Sequence, residues 1–325
     1  MRFRLFALAA LALAAGCDGT VDDDFSEELV VSAFLGTGEP LPPVALTRTL
    51  PLLAVYSPEA AAVQNADVRV TLLAADGSDE AVYAYAPSGA PGQYVAADAD
   101  ATVLAQRTYR LDVVAEGRTL TATTLVPPDF EVLDGPPEVT VYGDGNGPEI
   151  TITRSSTPER RAAFVASTRA LAPVDFEEIT VDGETRYRSV EEEGRFRPVP
   201  IVQRFLDCVE EGPVLVCEGD PRIEEALAGV SPVINEASYI DLGDGRLLVQ
   251  VPFLAFGYYG PQSLSLVSLD AAMQDFVQTQ AVQGGGSTLS PGEIPNITTN
   301  VEGGLGVFGS YSRELAETLL VEPEL

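Results

Sequence analysis

Two of the three cysteines have a spacing that suits disulfide chemistry. Cys208 and Cys217 flank a short segment that contains Gly212-Pro213, a turn signal between two short arms. Paired strands on either side of this turn would bring the two thiols together, and export to an oxidising compartment, argued below, favours their oxidation. We therefore predict a Cys208–Cys217 disulfide. A zinc site is disfavoured because the chain has no histidine, and a redox pair because the spacing is not Cys-x-x-Cys.

The 49 Asp and Glu residues are the other groups that could do chemistry. A pair of carboxylates can catalyse hydrolysis, but among so many acids some pairs lie close by chance, so no catalytic residue stands out. Asp144-Gly145-Asn146 and the segment 241–245 offer hard oxygen ligands on turns. Neither matches a full calcium loop, and turn geometry alone explains Asp, Asn and Gly there. We predict no metal site, with calcium at a turn as the alternative.

The residue types that most enzyme mechanisms need are missing. Without histidine there is no Ser-His-Asp or Cys-His apparatus, and without lysine there is neither Schiff-base chemistry nor a phosphate-loop lysine. The run Gly284-Gly285-Gly286-Ser287 has no following lysine and is interpreted as a flexible loop. We predict that the protein is not an enzyme and that it holds no cofactor.

The charge balance is strongly acidic. The formal net charge is -30, and all 19 basic residues are arginine. Such a surface repels phosphate backbones, so we expect no nucleic-acid partner. One interpretation of the acid excess is a halophilic adaptation, because strong brine screens a self-repelling surface. A GC-rich genome, which favours arginine over lysine, explains the composition equally well, and the two interpretations are compatible.

Residues 1–16 have the pattern of an export signal. Arg2 and Arg4 precede the apolar run 5–15, whose 11 residues are too few for the roughly 20 that a transmembrane helix needs. The segment ends in Leu13-Ala14-Ala15-Gly16-Cys17, which resembles the lipobox of bacterial lipoproteins, although Ala14 stands where leucine is commoner. This resemblance implies cleavage before Cys17 and lipid attachment to it, so that several acyl chains anchor the protein in a membrane.

Residues 17–27 are expected to form an acidic flexible tether. Asp18, Gly19 and the run Asp22-Asp23-Asp24 bury little apolar surface and suit a linker. An acidic cluster directly after the lipidated cysteine also resembles the surface-export signal of Bacteroidetes lipoproteins, which implies display on the outer face of the outer membrane. The linker and the export interpretations both remain open.

Residues 28–127 are predicted to form an N-terminal β-sandwich domain, immunoglobulin-like or transthyretin-like in architecture. The segment 29–35 is typical of a strand, and apolar residues alternate over 68–72 and 109–113. Turn signals such as Asp76-Gly77 and Glu116-Gly117 separate these short runs. The cysteine and tryptophan pattern of true immunoglobulin domains is absent, so the likeness is architectural only.

Residues 128–322 are predicted to form a second β-rich domain with one or two short helices. Proline pairs at 127–128 and 136–137 mark the boundary. Asp182-Gly183 is a strong hairpin signal. A short helix is predicted from Asp220-Pro221 to Gly229, and a longer one from about Ser268 to Gly284. The segment 158–171 is ambiguous between a helix and a strand. The apolar stripe of the longer helix is the following set: Leu269, Ala272, Met273, Phe276 and Val277.

Near the C-terminal end stands a glycine-rich motif at 300–312, Asn300-Val301-Glu302-Gly303-Gly304-Leu305-Gly306-Val307-Phe308-Gly309-Ser310-Tyr311-Ser312. With the lipobox, the strands at 29–31, 65–70 and 109–113, and Leu269-Asp270 before the helix, it resembles a Bacteroidetes envelope lipoprotein family, domain of unknown function 4249. The resemblance spans roughly residues 17–315. It implies a cell-envelope lipoprotein with two β-rich domains that accompanies TonB-dependent outer-membrane transporters. It supplies no catalytic residues.

We therefore expect a lipoprotein anchored through Cys17 in the outer membrane that helps a TonB-dependent transporter to capture a ligand or to assemble. The alternative is a surface adhesion module that binds glycans or proteins, which rests on fold analogy alone. A carboxylate-based hydrolase is the least favoured of the three hypotheses.

Overall fold

The computed structural model describes residues 25–51, 54–156, 160–190, 196–235, 239–283 and 298–323. Strands dominate these residues, which confirms the predicted mainly β fold. In chain order the strands are β1 (Leu29–Gly36), β2 (Val44–Arg48), β3 (Asp67–Leu73), β4 (Asp79–Pro87), β5 (Gln93–Ala96), β6 (Thr108–Ala115), β7 (Arg118–Leu125), β8 (Val132–Asp134), β9 (Val139–Val141), β10 (Glu149–Thr153), β11 (Ala163–Ala170), β12 (Phe176–Val181), β13 (Glu184–Ser189), β14 (Cys208–Glu211), β15 (Val214–Cys217), β16 (Ala228–Val230), β17 (Tyr239–Gly243), β18 (Arg246–Gln250), β19 (Gly260–Leu269) and β20 (Leu305–Val321). The helices are α1 (Pro58–Ala61), α2 (Pro200–Phe205), α3 (Glu224–Leu227), α4 (Ala271–Gln283) and a 3₁₀ turn at Phe253–Ala255.

One large sheet runs through both halves of the chain. Its strand order is β16-β11-β19-β20-β1-β2-β5-β4-β3-β6-β7, with β9 paired beside β20. The long strand β20 connects the two halves of this sheet, because its first part pairs in parallel with β1 and its second part pairs antiparallel with β19. Tyr311 belongs to both pairings, opposite Gly36 on one side and Leu269 on the other. A strand from the end of the chain therefore completes the sheet that begins at Leu29.

Two four-stranded sheets lie beside the large one. The first has the order β17-β18-β10-β8 and the second the order β12-β13-β15-β14. Strands β9 and β10 follow each other along the chain but belong to different sheets: β9 pairs with β20, and β10 pairs with β8 and β18.

Alternation of apolar residues and the residue types at turns explain the strands that the sequence predicts. Val68, Val70 and Leu72 are all buried in β3, as period-two patterning requires of one sheet face. The Asp182-Gly183 hairpin joins β12 to β13, and both of its residues have positive φ, 53° and 86°. That combination is the turn type whose twist matches antiparallel strands. Local sequence is therefore enough to place these elements.

The helix predictions need correction. The short helix α3 covers only Glu224–Leu227, and Gly229 is not its stop signal but part of strand β16. The longer helix begins at Ala271, because Leu269 is the last residue of β19 and Asp270 caps the helix. The ambiguous segment contains strand β11, and neither α1 nor α2 was predicted. None of the described helices has the length and apolar character needed to cross a bilayer.

The buried apolar side chains form three clusters. The first gathers residues from β1 to β7 with Val301 and Phe308 from the end of the chain. The second lies between β8, β10, β11, β18 and β19. The third is small and surrounds the β14–β15 hairpin. Burial of this surface is the main force that holds each region together, and Phe308 carries the C-terminal strand into the N-terminal core.

Candidate functional site

A cleft of about 490 Å³ lies where the two halves of the chain meet. We call it the joint cleft. The end of β7 and the Pro127-Pro128 link form one wall, and the start of α4 with Asp270 forms the other. Arg160, Ser155 and Asn300 also line it. Small-molecule sites in proteins have volumes in this range and occur preferentially at such junctions.

The Pro127-Pro128 link fixes the first wall. Both prolines are buried, and neither has an N–H to leave unsatisfied there. The carbonyl oxygen of Pro128 accepts a hydrogen bond of 2.9 Å from the Ser155 hydroxyl. The chain therefore leaves β7 along a defined path, and this path keeps the cleft open between the two halves.

Asp270 is the residue that joins the elements around the cleft. Its Oδ1 accepts a hydrogen bond of 2.8 Å from the Met273 backbone N–H, which caps α4, and its own N–H donates to the Ser310 carbonyl oxygen. Its Oδ2 accepts a hydrogen bond from the Thr124 hydroxyl. One carboxylate thus links α4, β20 and β7 while only 5% of the residue is exposed.

The direction of the hydroxyl bonds follows from counting protons. Thr124 has a single hydroxyl hydrogen, and Asp270 receives it. The contact of 2.6 Å between Thr124 Oγ1 and Ser310 Oγ must then be donated by the Ser310 hydroxyl. Both hydroxyl groups are buried. The chain Ser310–Thr124–Asp270 is therefore a polar network whose protons all point towards the carboxylate.

Burial shifts the pKa values of two charged groups in the cleft. It raises the pKa of Asp270, although the Thr124 hydroxyl, the backbone N–H groups and the Arg160 guanidinium all favour the carboxylate. Burial also lowers the pKa of Arg160, and the nearby Asp270 and Asp275 oppose this shift. The Arg160 guanidinium donates to the Leu269 carbonyl oxygen at 3.0 Å and to the Gln274 side chain. Arg160 therefore ties the segment before β11 to the start of α4.

Asn300 of the glycine-rich motif acts as a clamp between β20 and the end of β7. The Asn300 amide donates to the Phe308 carbonyl at 2.8 Å and accepts from the Phe308 N–H at 2.9 Å, as a neighbouring strand would. It also donates to the Thr123 carbonyl oxygen at 3.2 Å. Asn300 thereby fastens β20 to the end of β7, at the rim of the cleft.

The glycines of the motif allow its backbone to pack closely against β1 and β7. Gly306 has φ of 119°, and a Cβ there would lie 1.9 Å from the Val31 carbonyl oxygen. At Gly303, with φ of 82°, a Cβ would lie 2.2 Å from the Thr119 carbonyl oxygen. Glu302 bridges Thr121 of β7 through both backbone hydrogen bonds. No other residue type fits such approaches.

The end of the motif is fixed by a carboxylate from the loop after β1. Glu39 accepts a hydrogen bond of 2.9 Å from the Tyr311 hydroxyl and one of 2.6 Å from Arg313. Burial, together with this carboxylate, raises the pKa of Tyr311 to about 12. The tyrosine of the motif therefore stays protonated and serves as a donor.

Polar and apolar groups both line the joint cleft. Arg160, Arg161, Asp275 and Asn300 bring donors and acceptors to a space that also has proline, alanine and leucine in its walls. Asp270 is almost fully enclosed, and both of its carboxylate oxygens already accept hydrogen bonds within the protein. The geometry therefore assigns Asp270 to holding together the elements around the cleft.

The cysteines stand apart from this site. Cys208 and Cys217 are directly paired residues of β14 and β15, with their Cα atoms 3.9 Å apart, and their sulfur atoms are bonded. Gly212, with φ of 68°, makes the turn between them. The disulfide cross-links the β14–β15 hairpin at the edge of the four-stranded sheet β12-β13-β15-β14. Cys17 lies outside the described residues.

The turn at 241–245, one of the two considered for calcium, uses its carboxylates in ion pairs and in a backbone hydrogen bond. Asp241 pairs with Arg154 and accepts from the Gly243 N–H at 3.0 Å, and Asp244 pairs with Arg246 at 2.9 Å. The Arg154 side chain, then the Gly243 N–H, lowers the pKa of Asp241. Within the part of the chain that the structure describes, no three histidine, cysteine, aspartate or glutamate side chains gather as a metal site would require.

Sequence reasoning missed the residues of the joint cleft. Leu269-Asp270 was noticed only as the opening of a helix, and the capping role of an Asp before such a helix was the available signal. Asn300 was noticed within a glycine-rich motif, without a partner. Thr124 and Arg160 carry no local signal, because their partners are distant in sequence.

Comparison with known proteins gives a family match and a distant structural one. A family model described as "Domain of unknown function (DUF4249)" matches residues 18–315. A search of the curated proteins found no match. Among solved structures, trypsin-activated alpha-2-macroglobulin from Escherichia coli matches at 12% identity with a TM-score of 0.19. That match covers 76% of this chain and 15% of the macroglobulin chain.

Proposed function

The chain belongs to the DUF4249 family, and from this premise we propose that it is a lipid-anchored protein of the bacterial outer membrane that captures a small polar ligand and assists a TonB-dependent transporter. The observation that carries the proposal is the joint cleft. It offers about 490 Å³, convergent polar groups and walls that come from both halves of the chain. A pocket built across a junction in this way is the usual design of a ligand site.

The N-terminal sequence supports the location. The apolar run 5–15 and the small residues before Cys17 are typical of a lipoprotein signal. Several acyl chains on Cys17 would hold the protein at a membrane, which one chain alone does only marginally.

The cleft lies away from the end of the described chain that is nearest in sequence to Cys17. The described chain enters β1 beside an ion-pair cluster in which Arg48 and Arg118 contact Glu27 and Glu116. This end is the one nearest in sequence to Cys17. Thr124 lies six residues beyond Arg118 along β7, so the cleft is set back from this end by roughly 20 Å at the usual rise of a strand.

The proposal is tested by isolating the protein from its own cells. We expect mass spectrometry to find an acylated Cys17 and cross-linking to recover a TonB-dependent transporter with the wild-type chain. Cys17→Ala is the control, which should be neither acylated nor retained in the outer membrane. An unacylated protein or recovery without a transporter would contradict the proposal, and glycan-array binding without a transporter would favour the adhesion module.

A further inference from the structure

An apolar loop stands at the end of the protein where the described chain begins. It joins β2 to α1, and its sequence has no charged residue between Arg48 and Glu59. Val55 is 90% exposed and Tyr56 is 70% exposed. We call residues 54–56, all of them exposed, the apolar tip. A side chain that is nine-tenths exposed cannot line a groove, so this feature is a protrusion.

Ordered backbone holds the loop at both of its roots. At the first root, the Thr49 N–H donates to the Glu28 carbonyl oxygen at 2.9 Å, and the Glu28 N–H donates to the Thr49 hydroxyl oxygen at 2.9 Å. At the second root, the Val63 N–H donates to the Leu46 carbonyl oxygen at 3.1 Å, and both of these side chains are buried. The Ser57 hydroxyl accepts a hydrogen bond from the first turn of α1, directly after the tip. The apolar tip therefore projects from roots that the body holds in place.

The first root is also the place where the chain from Cys17 enters the body. Glu28 is the residue before β1, and Cys17, the expected site of lipid attachment, stands 11 residues earlier. A chain of that length spans at most about 40 Å. Phe25 is 40% exposed and adds a further apolar side chain at this end. An anchored Cys17 therefore keeps the apolar tip close to a bilayer surface, at a high effective concentration that makes even a weak contact count.

The charged residues beside the first root are paired with one another. Arg48 contacts Glu27 at 3.2 Å and Glu116 at 2.6 Å. Arg118 contacts Glu27 at 3.7 Å and Glu28 at 3.6 Å. Two arginines and three glutamates give this cluster a net charge of only -1. This local balance leaves little repulsion from a zwitterionic lipid surface, whereas the whole chain, at -30, is repelled by an anionic one.

The residue types of the tip suit a lipid surface. Tyrosine combines an apolar ring with a hydroxyl that stays in the polar layer, and it is enriched where proteins meet the membrane interface. Alanine and valine add apolar surface that a bilayer removes from water. Glu59, exposed on α1, limits the depth of insertion to the tip.

We propose that the apolar tip inserts into the headgroup region of the membrane that holds Cys17, and that it thereby sets which end of the body faces the lipid. The inference rests on the proposed lipid anchor and adds a second contact to it. An anchor at the end of a linker leaves the orientation of the body open, whereas two contacts at the same end restrict it.

The test tethers the mature chain to phosphatidylcholine vesicles through a maleimide lipid. Cys17 is the thiol available for coupling, because Cys208 and Cys217 are bonded to each other. The chain has no tryptophan, so Tyr56→Trp supplies a single fluorescent reporter. Its emission should move to shorter wavelength on tethering and should fall at least twofold when the acyl chains carry bromine. Phe205→Trp is the matched control, because Phe205 is 72% exposed in the C-terminal half, and its emission should do neither.

Hydrogen exchange removes any effect of the reporter itself. Tethering should slow the exchange of the wild-type backbone at residues 54–57 at least tenfold. The double variant Val55→Ser and Tyr56→Ser should lose this protection. Val82→Ser, at a position of β4 that is 54% exposed, should keep it. Both variants should melt at the wild-type temperature, because the replaced side chains are exposed.

Three results would overturn the proposal: an unshifted Tyr56→Trp spectrum, an equal shift in Phe205→Trp, or a response that requires anionic phosphatidylglycerol in the vesicles. The last would show that the arginines, and not the apolar tip, contact the lipid. Chemical tethering makes these outcomes independent of whether the cell acylates Cys17, which mass spectrometry of the natural protein tests separately.

Discussion

The Thr124 hydroxyl donates a hydrogen bond of 2.5 Å to the Asp270 carboxylate, although 146 positions separate the two residues in sequence. Thr124 lies near the end of β7, the last strand of the N-terminal half, and Asp270 caps α4 in the C-terminal half. Ser310 of β20 completes the network from the other side. The joint between the halves therefore depends on a buried carboxylate that the apolar clusters on either side cannot replace.

Replacing Asp270 should weaken the whole joint. Asp270→Ala removes the cap of α4 and leaves the buried Thr124 hydroxyl without its acceptor, which should cost about 2–4 kcal/mol in the free energy of unfolding. Urea denaturation measures this change. Asp275→Ala, at an exposed position of the same helix, is the control and should stay within about 0.5 kcal/mol of wild type. Equal losses in both variants would contradict the assigned role.

The same carboxylate should give stability a distinct pH dependence. Burial raises the pKa of Asp270 above its ordinary value of 3.8, so the folded state binds a proton that the unfolded state releases. The contribution of this raised pKa to the free energy of unfolding is fully present below pH 3.8, and it is lost as the pH rises through the pKa of Asp270 in the folded state. The unfolding free energy of wild type minus that of Asp270→Asn should therefore fall as the pH increases above 3.8.

Asp241→Asn provides a control of opposite sign. The pKa of Asp241 is lowered, mainly by the Arg154 side chain, so its contribution is present above pH 3.8 and is lost as the pH falls through the folded pKa. Because Asp241 is solvent-exposed, this slope should be shallow. Parallel pH curves for the two variants would show that burial of Asp270 is not what shifts its pKa.

The glycine-rich motif should tolerate no side chain at its closest contact. Gly306→Ala places a methyl group against the Val31 carbonyl oxygen in a backbone conformation that alanine rarely adopts. We expect a loss of about 3 kcal/mol or more, because the β1–β20 pairing must move apart. Gly135→Ala is the control, since a Cβ there meets nothing within 4 Å. Thermal denaturation followed by circular dichroism would detect the difference, and a stable Gly306→Ala protein would be inconsistent with this packing.

The disulfide should stabilise its own sheet. The double variant Cys208→Ser and Cys217→Ser should lose about 2–3 kcal/mol, as is usual for a short closed loop. Hydrogen exchange should quicken first in β12 to β15, because the third apolar cluster surrounds this hairpin. Reductant should destabilise wild type and leave the double variant unaffected. Faster hydrogen exchange confined to the joint cleft would argue against this local role of the disulfide.

Salt should distinguish the two interpretations of the acidic composition. With a net charge of -30, screening should raise the melting temperature as NaCl increases, and the gain should level off near 1 M, where the screening length is about 3 Å. A halophilic protein should be unfolded at about 10 mM NaCl, whereas a chain that is acidic by composition alone should remain folded there. Circular dichroism across this range decides between them.

Sequence alone was informative wherever a signal is local. The strands at Leu29–Gly36, Asp67–Leu73 and Thr108–Ala115 follow from runs of apolar and alternating residues, and the Asp182-Gly183 hairpin follows from turn chemistry. The sequence predictions of lipid attachment at Cys17, of the domain boundary near 127 and of a non-enzymatic role remain predictions. The failures were at boundaries, as where Leu269 extends a strand before the helix begins.

Only the tertiary structure decided how distant segments meet. The parallel pairing of β1 with β20, the Asn300 clamp and the Thr124–Asp270 hydrogen bond join residues that are more than a hundred positions apart. Periodicity and turn propensity describe the neighbours of a residue along the chain, whereas these contacts depend on which surfaces collapse together. The sequence thus determined the strands, the turns and the charge of the protein. The cleft exists only because long-range packing placed those strands side by side.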